Sequence, residues 1–200
     1  MRKKSHLSLA GYIVDVIDKD MITHPLAFRF GSLEPDLVPT FITTKHRIDL
    51  TFYKLEKKIK KVLEEYDSSK GLTIGLSKDL GVITHYLADY FTFPHNIEYP
   101  GTMTEHIHYE AELKDNFLLF IEHVKEAQIQ FQNVVLNSAE EICSFIRKCH
   151  DEYIHAVKSI QNDCTYILKI CAQVIGAILH LLQQGTSSIE TNCDEHFSVV

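Results

Sequence analysis

The chain has 200 residues, of which 45% are hydrophobic and 24% are charged, and its formal net charge is −7. That length is sufficient for one large domain with a hydrophobic core of its own. The acidic balance argues against general nucleic-acid binding, which needs a basic face, but it leaves open an anionic substrate held through bound cations.

The first half of the chain shows helical periodicity interrupted by one long loop. From Leu7 to Ile17, apolar residues recur every three or four positions and predict a one-sided helix. Residues His24 to Thr44 carry three of the five prolines, which predicts a loop with one helical turn at Leu26 to Phe30. A second amphipathic helix is predicted from Ile48 to Tyr66, and Ser68 to Gly75 forms a break after it.

Capping residues predict the helices of the middle region. Ser77 is the expected N-cap of a helix that ends at Phe93-Pro94. Thr102 or Thr104 is expected to cap a long helix that runs to about Gln130. No segment of the chain alternates at period two, so we expect no β-sheet.

The last third is also expected to be helical. Ser138 and Glu141 have the spacing of a capping box, and another helix is predicted after Asp163. The apolar run from Tyr166 to Leu182 contains polar side chains, so we expect a buried helix and no transmembrane segment. The predicted fold is therefore all-α, with a single-domain helical bundle in residues 1–185 and a frayed polar tail in residues 186–200.

The N-terminus and the cysteines indicate the compartment. The first residues are basic but lack the apolar run of a signal peptide, because Asp15 and Asp18 interrupt it. All five cysteines lie in the last third without CxxC spacing, so they are expected to be buried on helices. We therefore expect a reducing, cytoplasmic location, with secretion left open.

Histidines are concentrated where cysteines are absent. Seven of the twelve histidines precede residue 112, and no cysteine does, so a metal site there must use nitrogen and oxygen ligands. His85 and Asp89 are four residues apart and share one face of the predicted helix. Apolar neighbours predict that this helix is mostly buried, and a buried charge needs a partner or a metal. His95 follows just beyond the helix end.

The segment EHIHYEAEL offers two alternative pairs. His106 and Glu110 are four residues apart, and so are His108 and Glu112. The two pairs point about 200 degrees apart on a helix, so only one of them can face the same centre. The other pair is expected on the solvent-exposed side.

An ordered set of residues connects these motifs. The series His6, Asp36, His46, His85-x-x-x-Asp89, His95 and His106-x-x-Tyr109-Glu110 resembles the ligand pattern of the bacterial zinc-dependent phospholipase C family, which is related in fold to the S1/P1 nucleases. The resemblance covers roughly residues 5–115. It implies an all-α bundle with a trinuclear zinc site at the bottom of a cleft.

The resemblance also implies a ligand set. Asp36, His46, His85 and Asp89 would hold one zinc ion, and His95, His106 and Glu110 a second. His6 would serve a third ion, with Asp89 as the bridge to the first. The family has an aromatic residue before the glutamate, as Tyr109 is here, which favours His106/Glu110 over His108/Glu112. Secreted members complete the third site with an N-terminal tryptophan; this chain has no tryptophan and begins at Met1, so two or three zinc ions are expected.

The function implied by the resemblance is zinc-dependent hydrolysis of a phosphodiester. Asp36 is the candidate to steer or deprotonate the attacking water. The expected substrate is a phosphate ester, with phospholipid as the class that the family implies, and no stable nucleic-acid partner is expected. A related nuclease or phosphomonoesterase acting on soluble esters, and a non-catalytic helical metal-binding protein, stay as alternatives. Headgroup preference and oligomeric state are left open.

Overall fold

The structure, a computed structural model, describes residues 1–17, 21–38 and 45–194, with side chains described up to residue 184. Within these residues the chain forms α-helices and short 3-10 turns and no strand, which confirms the predicted all-α fold. The 3-10 turns are Glu34–Asp36 and Phe93–His95. The helices are α1 (Lys3–Val16), α2 (Pro25–Gly31), α3 (Ile48–Glu65), α4 (Ile74–Tyr90), α5 (Met103–Glu126), α6 (Ala139–His155) and α7 (Ile160–Asp194).

The core is built around α4 and α7. Almost every residue of α4 from Leu76 onward is buried, including its polar side chains, and α2, α3 and α7 pack against it. Helix α7 contributes a continuous set of buried apolar residues and also contacts α5 and α6. A helix that is apolar on all sides must be covered on all sides, which explains the central position of α4.

Helices α2 and α4 approach each other through glycine. A Cβ atom added at Gly31 would lie 2.0 Å from the carbonyl oxygen of Lys78, and one at Gly81 would lie 2.0 Å from that of Phe28. The two backbones are therefore in direct contact, and only glycine allows this distance at either position. The contact positions α2 and the following turn, Glu34–Asp36, beside the face of α4 that carries His85.

Helix α3 starts at Ile48 as predicted, whereas α1 starts at Lys3, before Leu7, and α7 starts at Ile160, before Asp163. Thr73 is the N-cap of α4 and accepts a hydrogen bond from Leu76 N, whereas Ser77 is buried inside the helix, so the expected cap at Ser77 is wrong. Thr73 and Ser77 both have a hydroxyl that can cap a helix. Because Leu76 already belongs to the buried part of the helix, the helix begins before Ser77. Thr102 caps α5, in a capping box with Glu105.

Several helix ends differ from the expected positions. Helix α4 stops at Tyr90, before the 3-10 turn, and α5 stops at Glu126, short of Gln130. Helix α7 continues past Gly185 to Asp194, so the helix covers much of the predicted tail, and residues 195–200 lie outside the described part of the chain. Ser138 caps α6, but the Glu141 side chain accepts from the backbone nitrogen of Asn137, not of Ser138.

Four of the cysteines, Cys143, Cys149, Cys164 and Cys171, are free and buried on α6 and α7. Among the described residues one helix, Ile160–Gln184, is long and apolar enough to cross a membrane, and 61% of its apolar window is buried inside the protein. This is the burial expected of a core helix. The predicted cytoplasmic location is a separate matter and stays a prediction.

Candidate metal centre

Helix α4 presents His85 and Asp89 on one face, one turn apart, and both side chains are buried. His85 Nδ1 lies 2.8 Å from the carbonyl oxygen of Ser32. A carbonyl can only accept, so Nδ1 carries the hydrogen and Nε2 has a free lone pair. The Ser32 carbonyl thus fixes both the tautomer and the ring orientation of His85, and Nε2 faces the centre.

Asp36, His46 and His85 form the first group of donors, which we name the first cluster. Asp36 ends the turn Glu34–Asp36, and His46 lies just before α3. His85 Nε2 lies 2.9 Å from His46 Nδ1 and 3.7 Å from Asp36 Oδ1, and His46 Nδ1 lies 3.9 Å from the same oxygen. One donor atom from each residue therefore converges on a common point, as the ligands of a single ion do.

His95, His106 and Glu110 form the second cluster. His95 ends the turn Phe93–His95, and the other two side chains lie one turn apart on α5. Glu110 Oε1 lies 3.0 Å from His95 Nε2 and 3.2 Å from His106 Nε2. His108 and Glu112, the alternative pair, are exposed on the other side of α5.

Asp89 lies between the clusters and faces both sides. Its Oδ2 is 2.9 Å from His46 Nδ1 and 3.2 Å from His85 Nε2. Its Oδ1 is 3.3 Å from His6 Nε2 and 2.6 Å from the nitrogen of Met1. A carboxylate that directs its two oxygens to separate sets of donors has the geometry of a bridging ligand.

His6 joins the centre from α1. Its ring is stacked on that of His85, with 3.9 Å between the centroids, and it groups with His85 and Asp89. Although His6 is fully buried, neither of its ring nitrogens makes a hydrogen bond within the described part of the chain. Buried polar atoms without a hydrogen bond are costly, and a bound cation would supply a partner.

The nitrogen of Met1 occupies the space between the clusters. It lies 2.6 Å from Asp89 Oδ1, 2.9 Å from Glu110 Oε1 and 2.9 Å from His95 Nε2. Burial lowers the pKa of this amino group, but the carboxylates of Asp89 and Glu110 have the larger combined effect and raise it. Positive charge is therefore favoured at the position where the donors converge.

The protonation states suit metal binding. Burial is the largest cause that lowers the pKa of His6 to about 3, and burial also lowers the pKa of His95. Burial opposes ionisation of Asp89, but the Met1 amino group and the surrounding histidines outweigh it and hold its pKa well below the usual range. Neutral imidazole and ionised carboxylate are the forms that bind metal ions.

Comparison with known protein families agrees with a metal-binding role for these residues. The sequence matches the family described as zinc dependent phospholipase C over residues 5–160. The chain belongs to this family. No curated protein and no solved structure gave a significant match. Membership in the zinc-dependent phospholipase C family implies a phospholipase C-like hydrolase that uses zinc, and the His and Asp groups described above supply candidate metal sites.

All eight ligands predicted from the sequence meet at this centre. The grouping differs from the expected one in two respects: His85 belongs both to the group with Asp36 and His46 and to the group with His6, and Asp89 belongs to the group with His6 and not to the group with Asp36. With Nδ1 bound to Ser32, His85 has a single free nitrogen and can serve one ion at a time. The assignment of each residue to an ion stays a prediction.

The donor set fits zinc. It contains imidazole nitrogens and carboxylate oxygens and no thiolate, which is typical of hydrolytic zinc sites. Asp89 is buried, and among the described residues it contacts histidines and the Met1 amino group but no Lys or Arg side chain. Bound cations would neutralise this negative charge and provide partners for His6.

A cavity of about 650 Å³ opens onto the centre. Donors from both clusters line it, namely Asp36, His46, His95, His106 and Glu110. Apolar residues from the segment after His95 and from the start of α5 form another part of its lining. A substrate in this cavity would therefore contact both the metal-binding donors and an apolar surface.

Sequence reasoning missed three contributors to the centre. The Met1 nitrogen and the Ser32 carbonyl are main-chain atoms, which leave no signal in a side-chain pattern. Asp163 on α7 accepts a hydrogen bond from Tyr109, the residue before Glu110, although 54 positions separate them. No periodic spacing connects these residues, because they meet only through the packing of separate helices.

Proposed function

We propose that the protein hydrolyses a phosphodiester bond of a phospholipid, as a zinc-dependent phospholipase C. The observation that carries this proposal is the convergence of both donor clusters at one cavity that also has apolar lining. Phosphodiester cleavage builds negative charge on phosphoryl oxygens, which bound cations would stabilise together with Lys45 and Arg47 in the lining of the cavity. Zinc ions, when bound, supply that charge and lower the pKa of a coordinated water.

Asp36 is proposed as the proton acceptor for the attacking water. Its carboxylate lines the cavity, and one of its oxygens faces His46 and His85. Burial, with a contribution from the negative charge of Asp89, raises the pKa of Asp36 above its usual value. A bound cation acts in the opposite direction and keeps the carboxylate ionised, which is the form that accepts a proton.

The lining of the cavity supports a lipid substrate. Ile97, Met103 and Ile107 line the cavity and are 65%, 67% and 51% exposed. Large apolar side chains grouped at a cavity mark a binding surface for an apolar ligand more often than for a polar one. A phospholipid would bind this surface with its acyl or glycerol portion while its phosphate meets the metal-binding donors, whereas a soluble phosphate ester would leave it uncovered.

The proposal is tested by metal analysis together with hydrolysis assays on one preparation. Zinc content is measured in the purified protein, and turnover is measured with phospholipid vesicles, a mononucleotide ester and a chromogenic diester. His106→Ala and His108→Ala form a matched pair on the same helix, because His106 joins the second cluster and His108 is exposed. We expect His106→Ala to lose about one zinc ion and at least 100-fold in kcat/KM, and His108→Ala to retain both.

Different outcomes distinguish the alternatives. Turnover of soluble esters without turnover of phospholipid would favour a nuclease or phosphomonoesterase. Bound zinc without turnover of any of these substrates would favour a non-catalytic metal-binding protein. Equal zinc content in His106→Ala, His108→Ala and the unaltered protein would contradict the second cluster as a zinc site.

A further inference from the structure

Asp163 is a buried carboxylate outside both donor clusters. It lies on α7, and its side chain is inaccessible to solvent. Its Oδ2 accepts a hydrogen bond of 2.9 Å from the backbone nitrogen of Phe93 and another of 2.9 Å from the Tyr109 hydroxyl. Its Oδ1 accepts a hydrogen bond of 2.7 Å from the Tyr153 hydroxyl. Three donors from three different parts of the chain therefore meet at one carboxylate.

Two of these donors belong to the segments that carry the second cluster. Phe93 begins the turn Phe93–His95, so its backbone nitrogen is two residues from His95. Tyr109 directly precedes Glu110 on α5. Because both hydrogen bonds end on the same oxygen, Asp163 restricts the distance between the turn and the helix. The same distance affects whether His95 and Glu110, which are 3.0 Å apart, can contact one ion.

The other end of the turn is held by a separate set of contacts. Asn96 donates through Nδ2 to the carbonyl oxygens of Tyr90 and Thr92, and its Oδ1 lies 2.8 Å from His150 Nε2. The turn is therefore attached to α4 and α6 at Asn96. Asp163 connects the turn to α5 in addition to the direct contact between His95 and Glu110.

An ionisable group is a costly choice for this position if packing is its only role. Burial raises the pKa of Asp163 to about 6, since no cationic side chain contacts the carboxylate among the described residues and three neutral donors compensate only in part. An apolar side chain of similar size often fills such a position at no loss of stability. What a carboxylate provides, and an apolar group does not, is a fixed orientation for several donors at once.

We propose that Asp163 is a positioning residue for the second zinc site, acting through Phe93 and Tyr109 to hold His95 and Glu110 at the separation that one ion requires. This inference rests on the proposed function. Asp163 touches neither ion nor substrate, so its removal changes the affinity of the second site while the donors of the first cluster keep their arrangement. A purely structural residue would instead lower the stability of the fold without selecting one site.

The test measures zinc affinity by competition with a chromophoric chelator, with turnover as a second measurement. In Asp163→Ala, we expect one zinc equivalent to lose about tenfold or more in affinity and the other to keep its affinity, as for other residues that orient metal ligands. In Asp163→Asn, affinity stays within about threefold, because the amide oxygen can accept from Phe93 and Tyr109 while its NH₂ group donates to Tyr153. The unfolding transition of each variant is recorded alongside.

A matched pair of tyrosine variants keeps the test informative if Asp163→Ala fails to fold. Tyr109→Phe and Tyr153→Phe each remove one phenol hydroxyl that donates to Asp163, but only Tyr109 is next to a cluster residue. We expect Tyr109→Phe to weaken one zinc equivalent about fivefold, the value of one hydrogen bond, and Tyr153→Phe to leave both equivalents unchanged.

The outcomes separate this inference from the proposed function. Equal zinc affinity in Asp163→Ala and the unaltered protein, or equal weakening by Tyr109→Phe and Tyr153→Phe, would overturn the positioning role and leave the metal centre intact. An unaltered protein that binds no zinc would overturn the metal centre and this role with it.

Discussion

Asp89 is the residue that joins the two halves of the candidate centre. Its oxygens face the first cluster on one side and His6 with the Met1 nitrogen on the other. A buried carboxylate in this position is tolerated only when positive charge or a metal compensates it. The same carboxylate that organises the site therefore also makes the folded chain dependent on a cation at this point.

A substitution at Asp36 distinguishes a role in proton transfer from a role in metal binding. Asp36→Asn keeps an oxygen toward His46 and His85 but removes the proton acceptor. We expect kcat on phospholipid to fall by about 10²–10⁴, the usual contribution of a general base, while zinc content stays near that of the unaltered protein. Asp115→Asn, whose side chain is 70% exposed on α5, is the control and should retain full activity. Unchanged turnover in Asp36→Asn would assign the proton transfer to another group.

The raised pKa of Asp163 predicts that the free energy of unfolding depends on pH. Its pKa is raised to about 6 in the folded protein, so the folded state holds this proton more tightly than the unfolded state does. Ionisation of this buried carboxylate therefore lowers the free energy of unfolding as the pH rises. The loss is absent below the unfolded pKa of about 3.9 and complete above about pH 6. Asp163→Asn has no such proton, so its free energy of unfolding relative to the unaltered protein should rise by about 2 kcal/mol between about pH 4 and pH 7.

That difference is measured by urea denaturation of both proteins in the presence of a chelator, so that zinc occupancy does not contribute. The comparison removes the pH dependence that the two proteins share. A difference in unfolding free energy that stays constant from pH 4 to pH 7 would contradict the raised pKa of Asp163.

At the scale of helices, the contact between α2 and α4 determines how the first cluster is assembled. Helix α4 carries His85 and Asp89, and Ser32 at the end of α2 accepts the hydrogen bond from His85 Nδ1. Asp36 follows a few residues later, in the turn after α2. The close approach of the two backbones at Gly31 and Gly81 thus sets the position of one donor relative to another.

Gly81→Ala should disturb both stability and metal binding. The added methyl group would lie 2.0 Å from the carbonyl oxygen of Phe28, so α2 has to move away from α4. We expect a loss of about 3 kcal/mol in unfolding free energy, as for a strongly overpacked core, and weaker binding of zinc at the first cluster. Both quantities are measured on the same preparation, by urea denaturation and by chelator competition.

Gly176→Ala is the matched control for this substitution. Gly176 lies within α7, and a Cβ atom there meets no atom within 4 Å. Alanine is the better helix former, so this variant should gain about 0.5–1 kcal/mol and keep its zinc affinity. Equal effects of the two substitutions would show that the contact between α2 and α4 does not constrain the site.

At the scale of the whole molecule, the sequence predicted the candidate metal-binding residues better than the residues that hold them in position. The spacing of His85 with Asp89 and of His106 with Glu110 places each pair on one helix face, which is a local property. Thr73 in place of Ser77 as the N-cap of α4 was missed, because the choice between two hydroxyls depends on how much of the helix is buried. The roles of Ser32 and Asp163 were missed because they depend on contacts between distant parts of the chain.

Zinc should also stabilise the fold as a whole, because the donors come from α1, α4, α5 and the intervening turns. A ligand that binds only the folded state adds about 4 kcal/mol at a free concentration 1,000 times its Kd. For a chain of 200 residues this corresponds to a rise in Tm of roughly 10 °C. We expect calorimetry to show that Tm falls by this amount when zinc is removed with a chelator and recovers when zinc is returned.

The size of the zinc-dependent rise in Tm should depend on pH and on the second cluster. Protons compete with the ion for carboxylates and imidazoles, so the rise should shrink as the pH falls toward about 4. His106→Ala lacks one donor of the second cluster and should show a smaller rise than His108→Ala, which keeps every donor. An identical Tm with and without zinc at neutral pH would mean that these donors, although they converge from separate helices, hold no ion in the folded protein.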